Sequence, residues 1–279
     1  MREHVIPTGV LSMPLRRYLL RAFPAMPPWL VRETLKKRDV RVNGVKSGPD
    51  AAVHAGDVLA IYVDERYLTG LPDVIYEDSD LLVIEKPAGV SVDVDGQGIG
   101  ADTMISRLRA VCPGARLCHR LDTWTGGVLI AAKNDAAEEH MRAIFRSHEL
   151  TKLYQCVVTG DPPQNEIRLT GWLQKDSAAS RVRVLDHPSP GAQPIETRCR
   201  TLTSRNGLAR LEVELITGRT HQIRAHLSHV GLPLLGDDKY GNREANRRWK
   251  VTQPLLWCVR ISFEGHVFES PPKFGGVDI

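Results

Sequence analysis

Beyond Pro72 the chain reads as one short apolar run after another, each closed by a turn: DVIYED, LLVIEKP, GVLIAAK, LYQCVVTG, EIRLTGWL, RVRVL, ARLEVELI and LLWCVRISF. Runs of this length, apolar or alternating, are strands. Two helical segments interrupt them. One starts at Asp135, a residue suited to an N-cap, and carries Ala136, His140, Ile144 and Phe145; the other covers THQIRAHLSHV. Strand runs with few helices between them predict an α+β domain, in which a mixed, mainly antiparallel sheet carries helices packed on it.

The first 64 residues follow another pattern. Leu15, Leu19 and Leu20 fall at helical spacing with Arg16, Arg17 and Arg21 on the other side, until Pro24, Pro27 and Pro28 interrupt. A second helix is expected from Pro27 or Pro28 through WLVRETLKK, burying Leu30, Val31 and Leu35. DVRVNG then reads as a strand ending in an Asn43-Gly44 turn, and Gly56 to Val63 as a closing strand. Asp64 to Pro72 forms a linker, so two domains are expected, residues 1–64 and 65–279.

Charge separates the halves as well. Between Leu11 and Lys46 nine basic residues face two acids, an excess of seven that leaves the rest of a chain of net charge +4 at minus three. Arg32, Lys36, Lys37, Arg38 and Arg41 would gather on one surface, where cations displace the counterions of a phosphate backbone. A solvated basic helix without a partner is the plainer alternative. Two helices, a V-x-V-N-G turn and a final G-D-x-apolar strand over about residues 12–64 resemble the alpha-L RNA-binding domain, a module shared with a ribosomal protein.

Five cysteines, Cys112, Cys118, Cys156, Cys199 and Cys258, are odd in number and never form a CxxC pair, against both a disulfide framework and a thiolate metal site. The amino terminus lacks the apolar core of a signal peptide, and no apolar run nears the roughly 18 residues of a membrane span. A cytoplasmic protein with reduced thiols is the expectation.

Three stretches carry chemistry. In HRLDTWTGG, Asp122 should sit in a loop entering the strand VLIAA, a usable catalytic position; the same residues equally fit an Asp that bonds its own turn. In GRTHQIRAHL, Ile223, Leu227 and Val230 share one side of a helix, and His221, Arg224 and Ser228 the other. Were Arg224 buried, it would require a carboxylate. His226 and His229, three apart, lack a third ligand at a recognisable interval, so no metal site is expected. In TKLYQCVVTG, Lys152 and Tyr154 lie on one side of a strand, with Tyr154 offering a face and a hydroxyl to a flat base or simply filling a core.

Together these stretches resemble the pseudouridine synthases of the RluA type, whose hallmarks recur in order over about residues 73–270: EKPAGV, HRLD with a T-x-G tail, K-x-Y, GRTHQIRAHL and GLPLLGDDKYG. An alpha-L domain is a frequent companion there. The resemblance implies isomerisation of specific uridines to pseudouridine in ribosomal or transfer RNA, by one carboxylate and without metal or organic cofactor. No water is activated, so no second acid is required as in an inverting glycosidase. It implies that Asp122 is the catalytic residue, that Arg224 pairs with it, and that Tyr154 stacks on the target uracil.

Arg120 would fill the gap left by the extruded nucleotide or hold a phosphate. His119, Thr125, Lys152, Arg219, His221 and Gln222 are the remaining candidates for contact with RNA. The chain departs from the family pattern at three places: Gly126 stands where Ser is common, Glu85 replaces Asn before KPAG, and LLWCVRISF lacks the His-Ala that follows Leu. A monomer is expected, with RNA as its partner and no membrane. An RNA-binding or chaperone protein that retains the fold without turnover is the alternative function, and an RNA glycosidase would share the carboxylate but release the base.

Overall fold

The structure, a computed structural model, describes residues 1–23, 25–64, 66–93, 103–147, 149–176, 181–275 and 277. Pro24 and Glu65, which figured in the expected helix break and domain boundary, lie outside the described residues. The chain divides into two compact units: Met1–Asp73 with Gly89–Pro113, and Val74–Ala88 with Gly114–Ile279. The first unit thus continues past residue 64 and takes in a second segment from the strand-rich part of the sequence.

In the first unit, helices Leu15–Ala22 and Pro28–Lys37 accompany an antiparallel sheet ordered Arg2–Val5, Val58–Ile61, Val40–Val42, Val45–Lys46. Proline at the first position of the second helix suits its fixed φ, and Asn43 and Gly44, both at positive φ, make the tight turn that the Asn-Gly pair foretold. Two burial details differ from the periodicity. Leu20 is exposed and Tyr18 takes the inner place, its hydroxyl 2.7 Å from a ring nitrogen of His4; in the second helix Thr34 is buried while Leu30 is only partly covered. The strand Arg2–Val5 lacked a sequence signal because it alternates only over four residues. Helix Met104–Val111, capped by a Thr103–Ser106 box, completes the unit, and Arg107 donates to the Ala25 carbonyl at 2.6 Å.

The second unit is built on an eleven-stranded sheet among the described residues. Nine strands run in the order Arg181–Leu185, Ile167–Asp176, Gln193–Arg205, Leu208–Leu215, Thr151–Thr159, Leu256–Phe263, Gly126–Ala132, Leu81–Lys86, Asp73–Glu77, while His266–Glu269 pairs with Leu256–Phe263 and Arg116–Leu117 with Gly126–Ala132. From Arg181–Leu185 to Leu81–Lys86 the pairings are antiparallel except that between Gly126–Ala132 and Leu256–Phe263, so the sheet is mixed and mainly antiparallel. Strand Gly126–Ala132 is buried along its whole length, as its apolar run requires.

Helix Asp135–Ser147 is capped by Asn134, whose side chain accepts from the Ala137 N–H at 2.8 Å, not by Asp135: the cap lies one residue earlier because the carboxylate of Asp135 is already inside the first turn. The inner face holds Ala137, Met141 and Ile144, whereas His140 is exposed. Helix Gln222–His229 buries Ile223 and Leu227 as expected, but Val230 follows its end and is exposed. A further helix, Arg243–Trp249, was not anticipated, because its residues are mostly charged and none is fully buried. No helix among the described residues is long and apolar enough to cross a membrane.

The parallel pair requires glycine. Gly127 has φ +110°, and a Cβ there would come within 2.1 Å of the Cys258 carbonyl oxygen, so neither the dihedral nor the space admits a side chain. Gly127→Ala is therefore expected to lower stability by about 3 kcal/mol or more. Gly207→Ala, at φ +75° in an open hairpin turn, should cost only about 1–2 kcal/mol, strain alone. Chemical denaturation of the two variants distinguishes the cases.

Candidate active site

Arg224 projects from helix Gln222–His229 into the second unit, where only about 5% of its side chain is exposed. A buried guanidinium needs compensation, and two carboxylates provide it. Asp237, fully buried, accepts from Nε at 2.7 Å and from Nη2 at 2.9 Å, a bidentate pair. Asp122 accepts from the remaining side of the fork, Nη1 to Oδ2 at 3.2 Å. Burial works against the charge on Arg224, but the bonds and charges of Asp237 and then Asp122 outweigh it and raise the pKa. Burial likewise opposes ionisation of Asp237, and Arg224 overcomes it, aided by the N–H groups of Tyr240 and Lys239, so its carboxyl lies below the usual range.

The charges do not cancel within this cluster. One guanidinium faces three carboxylates: Asp237 engages two of its donors, Asp122 takes a single bond from Nη1, and the exposed Asp238 lies 3.7 Å from Nη2 without a hydrogen bond. Asp122 is about 22% exposed, so it is the carboxylate that a ligand can reach. Its own turn is closed by the backbone, Thr125 N–H to the Asp122 carbonyl at 3.0 Å, which leaves the side chain to Arg224.

Tyr154 lies on strand Thr151–Thr159, where a register shift between Leu153 and Tyr154 opposite Leu256–Phe263 is the kind of bulge that re-aims a side chain. The residue is buried. Its phenol pKa is raised well above the ordinary value, first by burial, then by the neighbouring Cys258 thiol, and further by the charge of Asp122. Its hydroxyl is therefore neutral, within electrostatic reach of Asp122. His221 stands at the head of the Arg224 helix in a left-handed conformation, φ 55°, a strained setting for a non-glycine residue. One ring nitrogen lies 3.9 Å from Asp122 Oδ2 and the other 3.0 Å from the hydroxyl of Tyr240. Burial lowers its pKa; Asp122 opposes that effect, and Arg224 and Lys239 reinforce it. Tyr240 also places its ring 5.3 Å from the Arg224 guanidinium carbon.

The Asp122 loop is held from below by Lys86, the lysine of EKPAGV. Its ammonium is completely buried and donates to the carbonyls of Pro87 at 2.9 Å, Thr123 at 3.0 Å and Thr125 at 2.8 Å. From strand Leu256–Phe263, Trp257 covers Gly126, where any Cβ would come within 2.2 Å of the indole. The Trp257 N–H donates to Ser270 Oγ at 2.9 Å, and that hydroxyl donates to Glu85 at 2.8 Å; Glu85 also pairs with Lys273. Glu85, Gly126 and the position after Leu256, the three departures from the family pattern, thus meet in one cluster. A glycine at 126 makes room for tryptophan at 257, and the acid at 85 receives the hydrogen bond that this tryptophan starts.

The other sequence candidates have varied surroundings. Arg120 and Arg219 are exposed. Thr125 is buried. Gln222 is buried, with its amide nitrogen donating to the Glu196 carbonyl and Thr197 hydroxyl and its oxygen accepting from Thr217 and the Arg219 N–H. It thereby ties the helix start to the sheet instead of facing solvent. His119 accepts from the Ile130 N–H at 3.1 Å and stacks on Phe145; burial, then the charge of Lys152, lowers its pKa to about 3. Lys152 lies over the same Phe145 ring.

His226 bonds the Thr197 hydroxyl at 3.0 Å, and His229 pairs with Asp186. Arg32, Lys36, Lys37, Arg38 and Arg41 are all exposed on the first unit, with Arg41 near the Tyr62 ring. Sequence reasoning missed Asp237, Tyr240 and Lys86, although each falls inside a quoted motif, GDDKYG or EKPAGV. The need of a buried Arg224 for a carboxylate was the available signal.

Two measurements probe this arrangement. Asp237→Ala would strip the buried Arg224 of two of its three carboxylate bonds and should destabilise the protein by about 3–5 kcal/mol, read from denaturant midpoints. Burial pushes His226 down to about 4 from 6.5, so the native state holds it neutral while the unfolded chain binds a proton below 6.5. Its contribution is therefore complete above pH 6.5 and is lost as pH falls toward 4, about 2 kcal/mol by pH 5. The slope of stability against pH should flatten in His226→Gln.

Comparison with known proteins identifies the family. Residues 80–229 match the family model described as RNA pseudouridylate synthase. Among curated proteins, ribosomal large subunit pseudouridine synthase C of Vibrio cholerae is 33% identical over 88% of this chain and 83% of its own length. The protein of the same name from Escherichia coli is 34% identical over 83% and 77%. Among solved structures, human RNA pseudouridylate synthase domain containing 4 superposes with a TM-score of 0.61 at 22% identity, covering 72% of this chain and 89% of that one, a likeness of fold. With the matched segment spanning the Asp122 loop, Tyr154 and the Arg224 helix, the chain belongs to the RNA pseudouridylate synthase family.

Proposed function

We propose that this protein isomerises uridines of large-subunit ribosomal RNA to pseudouridine, with Asp122 as its one catalytic carboxylate, Arg224 as the fixed donor beside it and Tyr154 as the platform for the target base. The observation that carries this reading is the asymmetric sharing of Arg224: Asp237 binds it twice, and Asp122 once at 3.2 Å. A carboxylate oriented by one bond keeps lone pairs for a substrate. The names of the relatives favour ribosomal over transfer RNA.

The reaction requires little else. The bond from uracil nitrogen-1 to the ribose breaks, the base turns, and carbon-5 bonds to the sugar; the proton on carbon-5 leaves and nitrogen-1 regains one. Nothing is hydrolysed, and one carboxylate can serve at detachment and again at the carbon-5 proton. The uridine must be extruded to reach it, which costs a few kcal/mol of unstacking and is easiest in loops. Arg120, exposed two residues before Asp122, would fill the gap or hold a phosphate. The exposed cations of the first unit would bind RNA as an alpha-L-type module through counterion release.

Uridine tritiated at carbon-5 tests the assignment. Ribosomal RNA from a strain lacking the gene should lose label with the purified protein, and Asp122→Asn should slow the loss by about a thousandfold or more while RNA affinity stays within a few-fold. Release from transfer RNA alone would move the substrate; appearance of free uracil would replace isomerisation by glycoside hydrolysis.

A further inference from the structure

The second unit carries a basic element that the sequence reading did not single out. Helix Arg243–Trp249 and its cap residue present Arg243, Arg247, Arg248 and Lys250, all exposed, against the single acid Glu244. None of these four cations has an ion-pair partner in the structure's described residues closer than 4 Å. The helix does not stand apart from a cavity. Asn206, Arg248 and Trp249 line a pocket of about 370 Å³, and the same three residues border a second of about 220 Å³ together with Thr159, Gly207 and Glu244. Trp249 is half-buried, so one side of its indole is fixed in the apolar cluster with Leu208 and Phe274 while the rest faces the opening. Arg210, over the Phe274 ring of that cluster, has a buried Nε with no hydrogen-bond partner.

The helix is also bolted to the candidate active site. Asn246 accepts from the Gly236 N–H at 2.7 Å and donates to the Asp237 carbonyl at 3.0 Å, and Asp237 is the residue that locks Arg224. A strand of nucleic acid held on the outer face of this helix would therefore be in fixed register with Asp122.

We propose that helix Arg243–Trp249, with the pocket it shares with the Asn206–Gly207 turn, is a contact for single-stranded RNA within the second unit itself. Phosphates lie on Arg247, Arg248 and Lys250, and one base rests against Trp249. The inference deepens the isomerase reading and rests on it for the identity of the polymer. The chemistry suits such a segment. Guanidinium groups pair with phosphate oxygens in a fork, an indole stacks on any base, and a pocket at the small end of ligand sites accommodates one nucleotide but no duplex.

The test uses the full-length protein and a transcribed fragment of large-subunit ribosomal RNA, with Arg247→Glu/Arg248→Glu as the main variant because both positions are exposed. Its affinity at low salt should fall at least tenfold, and the slope of log affinity against log salt should become shallower by about 1.4, two phosphates of a single strand. Tritium release at saturating RNA should stay within about threefold of wild type, a rise in KM without loss of kcat. Trp249→Leu, which keeps an apolar side chain, should weaken binding about fivefold or more with an unchanged slope.

Unchanged affinity and slope in the double variant would overturn the proposal, as would an equal loss toward heparin and RNA combined with no effect of Trp249→Leu. A wild-type protein that binds RNA through this helix yet releases no tritium would leave the contact standing and remove the isomerase reading.

Discussion

One guanidinium organises the second unit. Arg224 is buried, and a buried cation is tolerated only where acceptors complete its hydrogen bonds, which for this guanidinium are carboxylates. Asp237 meets most of that requirement from a fully buried position, and in doing so it collects the N–H groups of Lys239 and Tyr240 on the oxygen that also accepts from Arg224. The loop from Gly236 to Gly241 is thereby folded around the pair. Asp122 is left as the partner with one bond and some exposure. With one bond from Arg224, Asp122 keeps most of its acceptor sites open for chemistry.

A second constraint acts on the backbone that carries Asp122. Lys86 gathers three carbonyls, two of them flanking Trp124 in the loop, and an ammonium with three donors is matched by three acceptors. Trp257 closes the other side over Gly126, and its indole N–H begins the chain through Ser270 to Glu85. Gly126 and Trp257 depend on one another, because a side chain at 126 and an indole at 257 cannot share one volume, and Glu85 joins them through Ser270. These residues pack around the backbone that carries Asp122, and the hydrogen bonds from Trp257 through Ser270 to Glu85 are separate from those of the Arg224 cluster.

Much of the fold was legible because its signals are local. Alternation and apolar runs marked the strands, proline marked the second helix, and the Asn43-Gly44 pair marked a turn that needs positive φ at both residues. Where the reading fell short, tertiary contacts competed with local preference. Tyr18 displaced Leu20 inward because its hydroxyl reaches His4, and Asn134 capped the helix assigned to Asp135. Helix Met104–Val111 joined the first unit through Arg107 and the Ala25 carbonyl, a contact between residues 82 positions apart that no window of sequence reveals.

By itself the sequence determined the class of the sheet, the loop position of Asp122, the helix that bears Arg224 and the concentration of cations near the amino terminus, since each follows from residue type and spacing along a few turns or strands. Tertiary structure alone decided that Asp237, not Asp122, is the principal partner of Arg224, that Gln222 and Lys86 serve as internal braces, and that Trp257 occupies the space of a side chain at 126. Those outcomes depend on which distant atoms are brought within hydrogen-bonding or van der Waals range, and on which of two acids is removed from water; spacing along the chain does not encode either.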